Sequence, residues 1–337
     1  MLAPSFWDAP GRSWQASALA PLGFIYDALT RLRFWLARPY QSRLPVICVG
    51  NLTAGGAGKT PAVLALAELL RGQGLSPAIL SRGYGGAESG PVVVDPKTQT
   101  AEAVGDEPLL LARAAPAIVS RNRPAGARLA EQIGADLIVM DDGLQNPSLA
   151  KTASFAVIDA ETGIGNGRVI PAGPLRAGLD FQIKLIDALI LVGKGPAGET
   201  LAARAKRHGI PVFRARIAAR NDGEFAGKRV IAFAGIARPK KFFALLTAAG
   251  ADIVAERGFS DHHAFSDREA EELLAVAERE GALPVSTEKD LARLKGRTGT
   301  LGRLADETRP LRVSLIFDDA SAVAEFLLKK GIAAKKA

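Results

Sequence analysis

The 337-residue chain has one cysteine and three histidines. A single thiol cannot close an intrachain disulfide or build a cysteine-rich zinc cluster, so the fold does not depend on an oxidising compartment. Cys48 sits in the apolar run Pro45 to Gly50, the setting of a buried, inert thiol. Aromatic residues are also scarce, at 6% of the chain, and all three tryptophans, Trp7, Trp14 and Trp35, fall within the first 35 residues. Long apolar runs are missing. The uncharged stretch between Arg12 and Asp27 spans 14 residues and contains Pro21, short of the roughly 18 needed to cross a bilayer. No clear cleavage site follows it, so neither a transmembrane helix nor a removed leader is expected.

The chain does have enough apolar side chains to fill a core, with 48% hydrophobic and 23% charged residues. Its length allows two domains at roughly 150 residues each. Lys plus Arg exceed Asp plus Glu, 43 to 35, for a net charge of +8. That balance suits an anionic partner: nucleic acid, a phosphorylated substrate or a membrane surface. No basic stripe interleaved with aromatics occurs beyond the N-terminus, so nucleic acid is not expected.

Near the start, Leu22, Ile25, Leu29, Leu32 and Leu36 recur at intervals of three and four and define one stripe of a helix. Five arginines precede Leu44. Such a helix either lies in a membrane interface or caps the protein's own core. Thereafter short apolar runs alternate with helical stretches. Strands are expected near Pro45–Gly50, Pro77–Ser81, Asp136–Met140, Phe155–Asp159 and Ala188–Val192, with helices over Thr60–Arg71 and Ala125–Ile133. Unbroken runs such as Leu137 to Met140 suit strands buried on both faces, which predicts a doubly wound, mostly parallel α/β sheet. A second α/β series begins near Lys228 and ends in a strand and helix over Leu311 to Lys330. The expected division is an interfacial segment at 1–40, a nucleotide-binding domain at 41–220 and a smaller α/β domain at 221–337.

The sharpest motif is Thr53-Ala54-Gly55-Gly56-Ala57-Gly58-Lys59-Thr60, after a strand and before a helix. Glycines let backbone N–H groups turn inward on phosphate, the helix start adds its positive end, Lys59 reaches the β and γ oxygens, and Thr60 offers a hydroxyl to Mg²⁺. A second motif, Asp141-Asp142-Gly143-Leu144-Gln145, ends a strand in adjacent carboxylates that repel unless a cation is near, so Asp141 or Asp142 is expected to hold Mg²⁺. Third, Ser81-Arg82-Gly83-Tyr84-Gly85-Gly86 either grips phosphate and sugar or is an ordinary turn. Asp106 and Glu107 stand at a helix start, where on their own they read as caps. His262 and His263 hold two of the three histidines, without zinc-ligand spacing. His208 reads as a solvated helix end.

Together these motifs resemble those of the lipid A 4′-kinase (tetraacyldisaccharide 4′-kinase) family. The resemblance extends through Pro21–Tyr26 with Arg31 and Arg33, Gly50-Asn51-Leu52-Thr53, Gly165-Asn166-Gly167-Arg168 with Pro171 to Arg176, Phe233 to Ile236 with Pro239, Asp261-His262, and Thr287 to Asp290. Thr53 in place of the glycine of the strict phosphate loop is usual there. The resemblance implies ATP-dependent phosphorylation of the 4′-hydroxyl of a tetraacyl glucosamine disaccharide 1-phosphate at the cytoplasmic face of the inner membrane. By the same resemblance Asp106 is the base, paired with His262. Thr60, Asp141, Asp142 and Glu107 manage Mg²⁺, and Arg82, Tyr84, Arg123 and Gln145 contact the glycolipid. The acyl chains favour the interfacial reading of the first helix and an anionic membrane surface as partner; no obligate protein partner is expected. One departure is Ala177, where the family commonly has an acidic residue. The alternative is a membrane-associated switch ATPase of the positioning and partitioning type, but those carry a lysine before the double glycine, where Ala54 stands here.

Overall fold

The computed structural model describes residues 4–8, 13–56 and 58–333. Helix α1 (Trp14–Leu36) leads into strand β1 (Val46–Gly50), α2 (Lys59–Gly72), β2 (Pro77–Ser81) and β3 (Val92–Val93). Two short helices, α3 (Ala101–Val104) and α4 (Asp106–Leu111), precede β4 (Ala117–Val119), α5 (Arg123–Gln132), β5 (Leu137–Asp141) and β6 (Ala153–Asp159). Then come α6 (Leu179–Ile183), β7 (Ala188–Val192), α7 (Pro196–Arg207) and β8 (Val212–Ala219). A second series follows: β9 (Arg229–Ala234), α8 (Pro239–Ala248), β10 (Asp252–Gly258), α9 (Asp267–Glu280), β11 (Leu283–Thr287), α10 (Glu288–Leu294), α11 (Gly299–Glu307) and β12 (Arg309–Leu311). The chain ends in β13 (Val313–Phe317) and α12 (Ala320–Lys329).

Nine strands form one sheet in the order β13-β8-β7-β6-β1-β5-β2-β4-β3, parallel except at its two edges, β13 on β8 and β3 on β4. Alternate residues of the central strands feed two cores. Ile47, Val49, Leu137 and Val139 join Leu66 and Leu70 of α2 on one face. Cys48, Ile138, Met140 and Ile158 join Ala127 and Ala130 of α5 on the other. This is the doubly wound sheet that the unbroken apolar runs predict. Cys48 is fully buried, and burial pushes its thiol up to about 11.

The smaller parallel sheet runs β10-β9-β11-β12, with Phe242 and Leu246 of α8 on one face and Leu273 and Leu274 of α9 on the other. The expected division at 221–337 needs one correction. After β12 the chain returns to the large sheet, where β13 pairs along β8 from Val313 to Phe317. A bare β8 would be an open, unpaired edge. The return covers it, and Leu315, Val323 and Leu327 join the core built on α2. Phe326 packs its ring against Phe155 and Phe213 at 5.4 and 5.5 Å.

Helix α1 is docked by one face only. Ala16 and Gly23 are its buried residues, Arg168 donates to the Ala16 carbonyl at 3.1 Å, and Asp27 accepts the Gly178 N–H at 2.6 Å. Arg31 lies over the Phe181 ring and Phe34 meets that ring edge-on. The stripe of Leu22, Ile25, Leu29, Leu32 and Leu36 is exposed, as are Trp14, Phe24 and Trp35. Leu327, fully buried under the returned segment, tests its role in the large sheet. Leu327→Ala should remove about 2–5 kcal/mol of unfolding free energy, measured by urea denaturation of the whole chain; an unchanged midpoint would show that the return is only peripheral.

Candidate active site

At the C-terminal end of β1 the chain must turn sharply into α2. Gly58, the residue before that helix, has φ +85°, a conformation that favours glycine. The turn leaves the first N–H groups of α2 without intrahelical partners and directed at the space above the sheet, an arrangement that binds phosphate. Ala54 N–H donates to the Pro174 carbonyl at 2.8 Å and Thr53 pairs with Leu175, so the loop's start is tied to the segment carrying Arg176. Ala57 lies outside the described residues.

Carboxylates crowd beside this loop. Asp141, the last residue of β5, is buried, and its Oδ1 has no hydrogen-bond partner. Burial, together with the charges of Glu107 and Asp142, pushes its carboxyl up to about 7. Asp142 follows with φ +50°, in the region non-glycine residues rarely enter. It accepts from Arg176 at 2.6 Å and lies 3.9 Å from the Lys59 ammonium. Burial opposes its ionisation, yet Lys59 and Arg176 hold its carboxyl below the usual range. Glu107 accepts from Thr60 at 3.2 Å and from Lys289 at 2.5 Å; Lys289 and Lys59 outweigh its burial and keep it low.

Asp106 sits one residue earlier, at the start of α4. Gly105 before it has φ +93°, and a Cβ there would come within 2.6 Å of the Tyr84 carbonyl, so a glycine lets this turn close onto the Arg82–Tyr84 loop. Three groups meet the Asp106 carboxylate. His262 Nδ1 is 3.3 Å away, Arg293 Nε donates at 2.7 Å, and the Glu107 N–H donates to the other oxygen at 2.8 Å. Burial works against the anion, but the His262 hydrogen bond and the charges of Arg293 and Lys289 prevail and hold Asp106 well below the carboxylate range. In return, the hydrogen bond to Asp106 raises His262. His262 has φ +56°, so both it and Asp142 adopt backbone conformations that cost energy. The neighbouring His263 is built differently: it pairs with Glu269 at 3.0 Å and stacks on Phe259.

Most of the expected residues converge on one cleft of about 1050 Å³, lined by Gly55, Gly56, Gly58, Lys59, Thr60, Arg82, Tyr84, Glu107, Arg123, Asp141, Asp142, Gln145 and His262 among others; Thr53, Ala54 and the buried Asp106 do not line it, and Asp106 lies behind His262. Tyr84 is exposed, with its ring 5.2 Å from that of His262. Arg123 is buried beneath the cleft. It donates to the Ser120 and Asp141 carbonyls, while its Nε has no partner. Gln145 uses its amide nitrogen on the Asn51 carbonyl and Gln182.

Reading the motifs one by one missed the cations brought by α10. Lys289 and Arg293 stand four residues apart on one helical face and reach Glu107 and Asp106. Asp290, fully buried, accepts from Gly235 N–H, Ser286, Thr287 and Arg293. Arg238 and Lys241 of the smaller unit also meet Asp159 at the end of β6.

A glycine-rich loop between a buried strand and a helix, beside clustered carboxylates and under a second α/β unit, defines a P-loop phosphotransferase. Residues 15–331 match the family described as LpxK, tetraacyldisaccharide-1-P 4′-kinase. A tetraacyldisaccharide 4′-kinase of Methylorubrum populi is 54% identical over 324 residues, covering 96% of this chain and 97% of that one. One from Nitrobacter winogradskyi is 48% identical, with 97% of each chain covered. The crystal structure of the "apo" form of LpxK from Aquifex aeolicus in complex with ATP superposes with a TM-score of 0.73 at 26% identity, covering 94% of this chain and 99% of that one. The chain belongs to the tetraacyldisaccharide-1-P 4′-kinase family.

Because Asp290 is the point at which four donors converge, Asp290→Ala should cost about 3–5 kcal/mol, the scale for breaking a buried ion pair. Thermal or urea unfolding reads this, and a parental transition would show that α10 is held by other contacts.

Proposed function

We propose that this chain transfers the γ-phosphoryl group of ATP to the 4′-hydroxyl of a tetraacyl glucosamine disaccharide 1-phosphate, a step of lipid A biosynthesis. The observation that carries the reading is the Asp106–His262 pair, whose histidine lines the same cleft as the phosphate loop, within a chain that matches this family over nearly its whole length. Nothing comparable is required of a switch ATPase, which activates water and needs no sugar-facing dyad.

In the reaction the 4′-oxygen attacks the γ-phosphorus, the bond to the β-bridging oxygen breaks, ADP leaves, and the hydroxyl proton passes to Asp106. A carboxylate held this low is a weak base in the ground state. Phosphoryl transfer has a loose transition state and asks for the proton late, so orienting the hydroxyl matters more than basicity. His262, which lines the cleft, and Arg293 fix the orientation of the buried carboxylate, and Lys59 with the loop amides offsets charge on the transferring group. Arg82 and Tyr84, exposed on the cleft wall, contact the sugar or its phosphate. The carbonyl oxygen of Gln145 is the group that residue has left for substrate, whereas Arg123, buried and donating to the Ser120 and Asp141 carbonyls, supports the cleft from beneath.

The carboxylates also fit Mg²⁺. Asp141 has a buried oxygen without a partner, and burial, with the neighbouring charges of Glu107 and Asp142, raises its carboxyl, a setting that a cation would relieve. Among the described residues no three His, Cys, Asp or Glu side chains form a metal site by themselves. An ion held jointly by Thr60, Asp141, Asp142, Glu107 and nucleotide oxygens suits the P-loop class. When bound, Mg²⁺ neutralises charge on the β and γ phosphates.

No helix of the described residues is long and apolar enough to cross a membrane. The exposed apolar stripe of α1 suits insertion at the anionic, cytoplasmic surface of the inner membrane, where a substrate with four acyl chains resides. Trp14, Phe24 and Trp35 are 76%, 76% and 80% exposed. Replacing all three with Ser should therefore weaken co-sedimentation with anionic vesicles while leaving thermal unfolding unchanged; undiminished sedimentation would count against insertion.

The direct test is incubation with Mg²⁺, radiolabelled ATP and the disaccharide 1-phosphate, followed by chromatography of the lipid. A bis-phosphorylated product is expected, and its absence refutes the reading. Asp106→Ala should lower kcat by roughly 10²–10⁴-fold with ATP affinity little changed; parental turnover would remove Asp106 from the reaction.

A further inference from the structure

Gln182, on the short helix α6, is fully buried, carries no charge and does not line the cleft, yet both its amide oxygen and its amide nitrogen are engaged with neighbouring loops. Its Oε1 accepts from Gln145 Nε2 at 2.7 Å. Its Nε2 donates to the Leu52 carbonyl at 3.0 Å and to the Ala177 carbonyl at 2.7 Å. One amide therefore joins three segments: the approach to the phosphate loop, the turn that follows Asp141 and Asp142, and the strip that delivers Arg176 to Asp142.

The connections continue on both sides. Gln145 Nε2 also donates to the Asn51 carbonyl at 2.7 Å, and the Asn51 side chain, itself fully buried, donates to the Gly55 carbonyl inside the phosphate loop at 3.0 Å. Arg176 N–H donates to the Leu52 carbonyl at 2.9 Å, and its guanidinium holds Asp142 at 2.6 Å. Hydrogen bonds thus run from Gln182 through the Gln145 side chain to the Asn51 backbone, and from the Asn51 side chain to a phosphate-loop glycine. Ala177 is fully buried, so the position where the family commonly has an acidic side chain serves here through its carbonyl, as one of Gln182's acceptors.

We propose that Gln182 is a positioning residue for phosphoryl transfer: its amide locks the phosphate loop and the Asp141–Gln145 turn into one unit with fixed spacing. In-line transfer is sensitive to displacements of about 1 Å between donor, acceptor and charge-neutralising groups. An unsatisfied alternative is costly for all three partners, because buried carbonyls and amides demand hydrogen bonds. The proposal rests on the kinase reading above, and it extends that reading to a residue that meets neither nucleotide nor sugar.

The test uses the full chain with ATP and the glycolipid. Gln182→Met keeps length and apolar volume and deletes every hydrogen bond. Expected is a fall in kcat of about 10–100-fold per nucleotide-binding site, counted by ATP titration so that unfolded molecules drop out, with KM for both substrates within about threefold. A loss confined to the number of binding sites, with parental kcat per site, overturns the proposal and leaves Gln182 a purely structural residue. If Gln182→Met does not fold, Gln145→Leu combined with Gln182→Asn gives a second route through a double-mutant cycle in kcat. Residues acting through one clamp lose no more together than the worse single variant loses alone, whereas fully multiplicative losses refute the clamp. Parental enzyme run in parallel separates the two failures: no lipid product from it refutes the kinase reading, while normal product alongside unaltered variants refutes only the clamp.

Discussion

Four carboxylates, Asp106, Glu107, Asp141 and Asp142, stand together above the ends of the central strands, and their mutual repulsion is the constraint around which the cleft is organised. Ions of like charge at such range in a partly dry site cannot all stay ionised without nearby cations. The cations come from separate parts of the chain: Lys59 from the phosphate-loop helix, Arg176 from the strip before α6, and Lys289 and Arg293 from α10 of the smaller unit. Asp141 is the member left least compensated, with its carboxyl raised and one oxygen unpartnered. Four cations thus face four carboxylates, but they contact Asp106, Glu107 and Asp142 and leave buried Asp141 without a direct ion pair among the described residues.

The same arrangement explains why the smaller α/β unit matters. Of the groups meeting Asp106, both His262 and Arg293 belong to that unit, and Asp290 fastens Arg293 against Gly235 within it. Arg238 and Lys241 add contacts to Asp159 on the large sheet. The dyad therefore exists only while the two units are in register. On the proposed reading, a pair split between units ties the reactive geometry to the packing of one unit on the other.

Much of this was legible in the sequence because it depends on local pattern. Buried parallel strands read as unbroken apolar runs, and the phosphate loop reads as glycines between such a run and a helix. The pairing of Asp106 with His262 was legible only through the family resemblance, since 156 residues separate them. Of the two adjacent histidines, His263 pairs with Glu269 six residues on, whereas His262 reaches Asp106 on the large unit, a difference that spacing cannot express. Lys289, within the Thr287–Asp290 motif, and Arg293 carry no assigned role in the sequence, since a charged helix face usually faces water. The return of β13 to the large sheet was missed for a related reason: strand pairing is decided by which edge lies open, and Leu311 to Phe317 reads as one run although it serves two sheets.

The one-sided docking of α1 has a geometric corollary. Tyr26 and Arg33 of this helix line the reaction cleft while Leu22, Ile25 and Leu29 are exposed, and a helix with its side chains is only about 10–12 Å across. With its apolar stripe sunk at the boundary between headgroups and acyl chains, the sugar need rise by no more than about that thickness. Each methylene lifted from hydrocarbon into water costs about 0.8 kcal/mol, so pulling four tails free would be prohibitive. On the proposed interfacial seating of α1, the disaccharide would be phosphorylated with its tails still anchored among their neighbours.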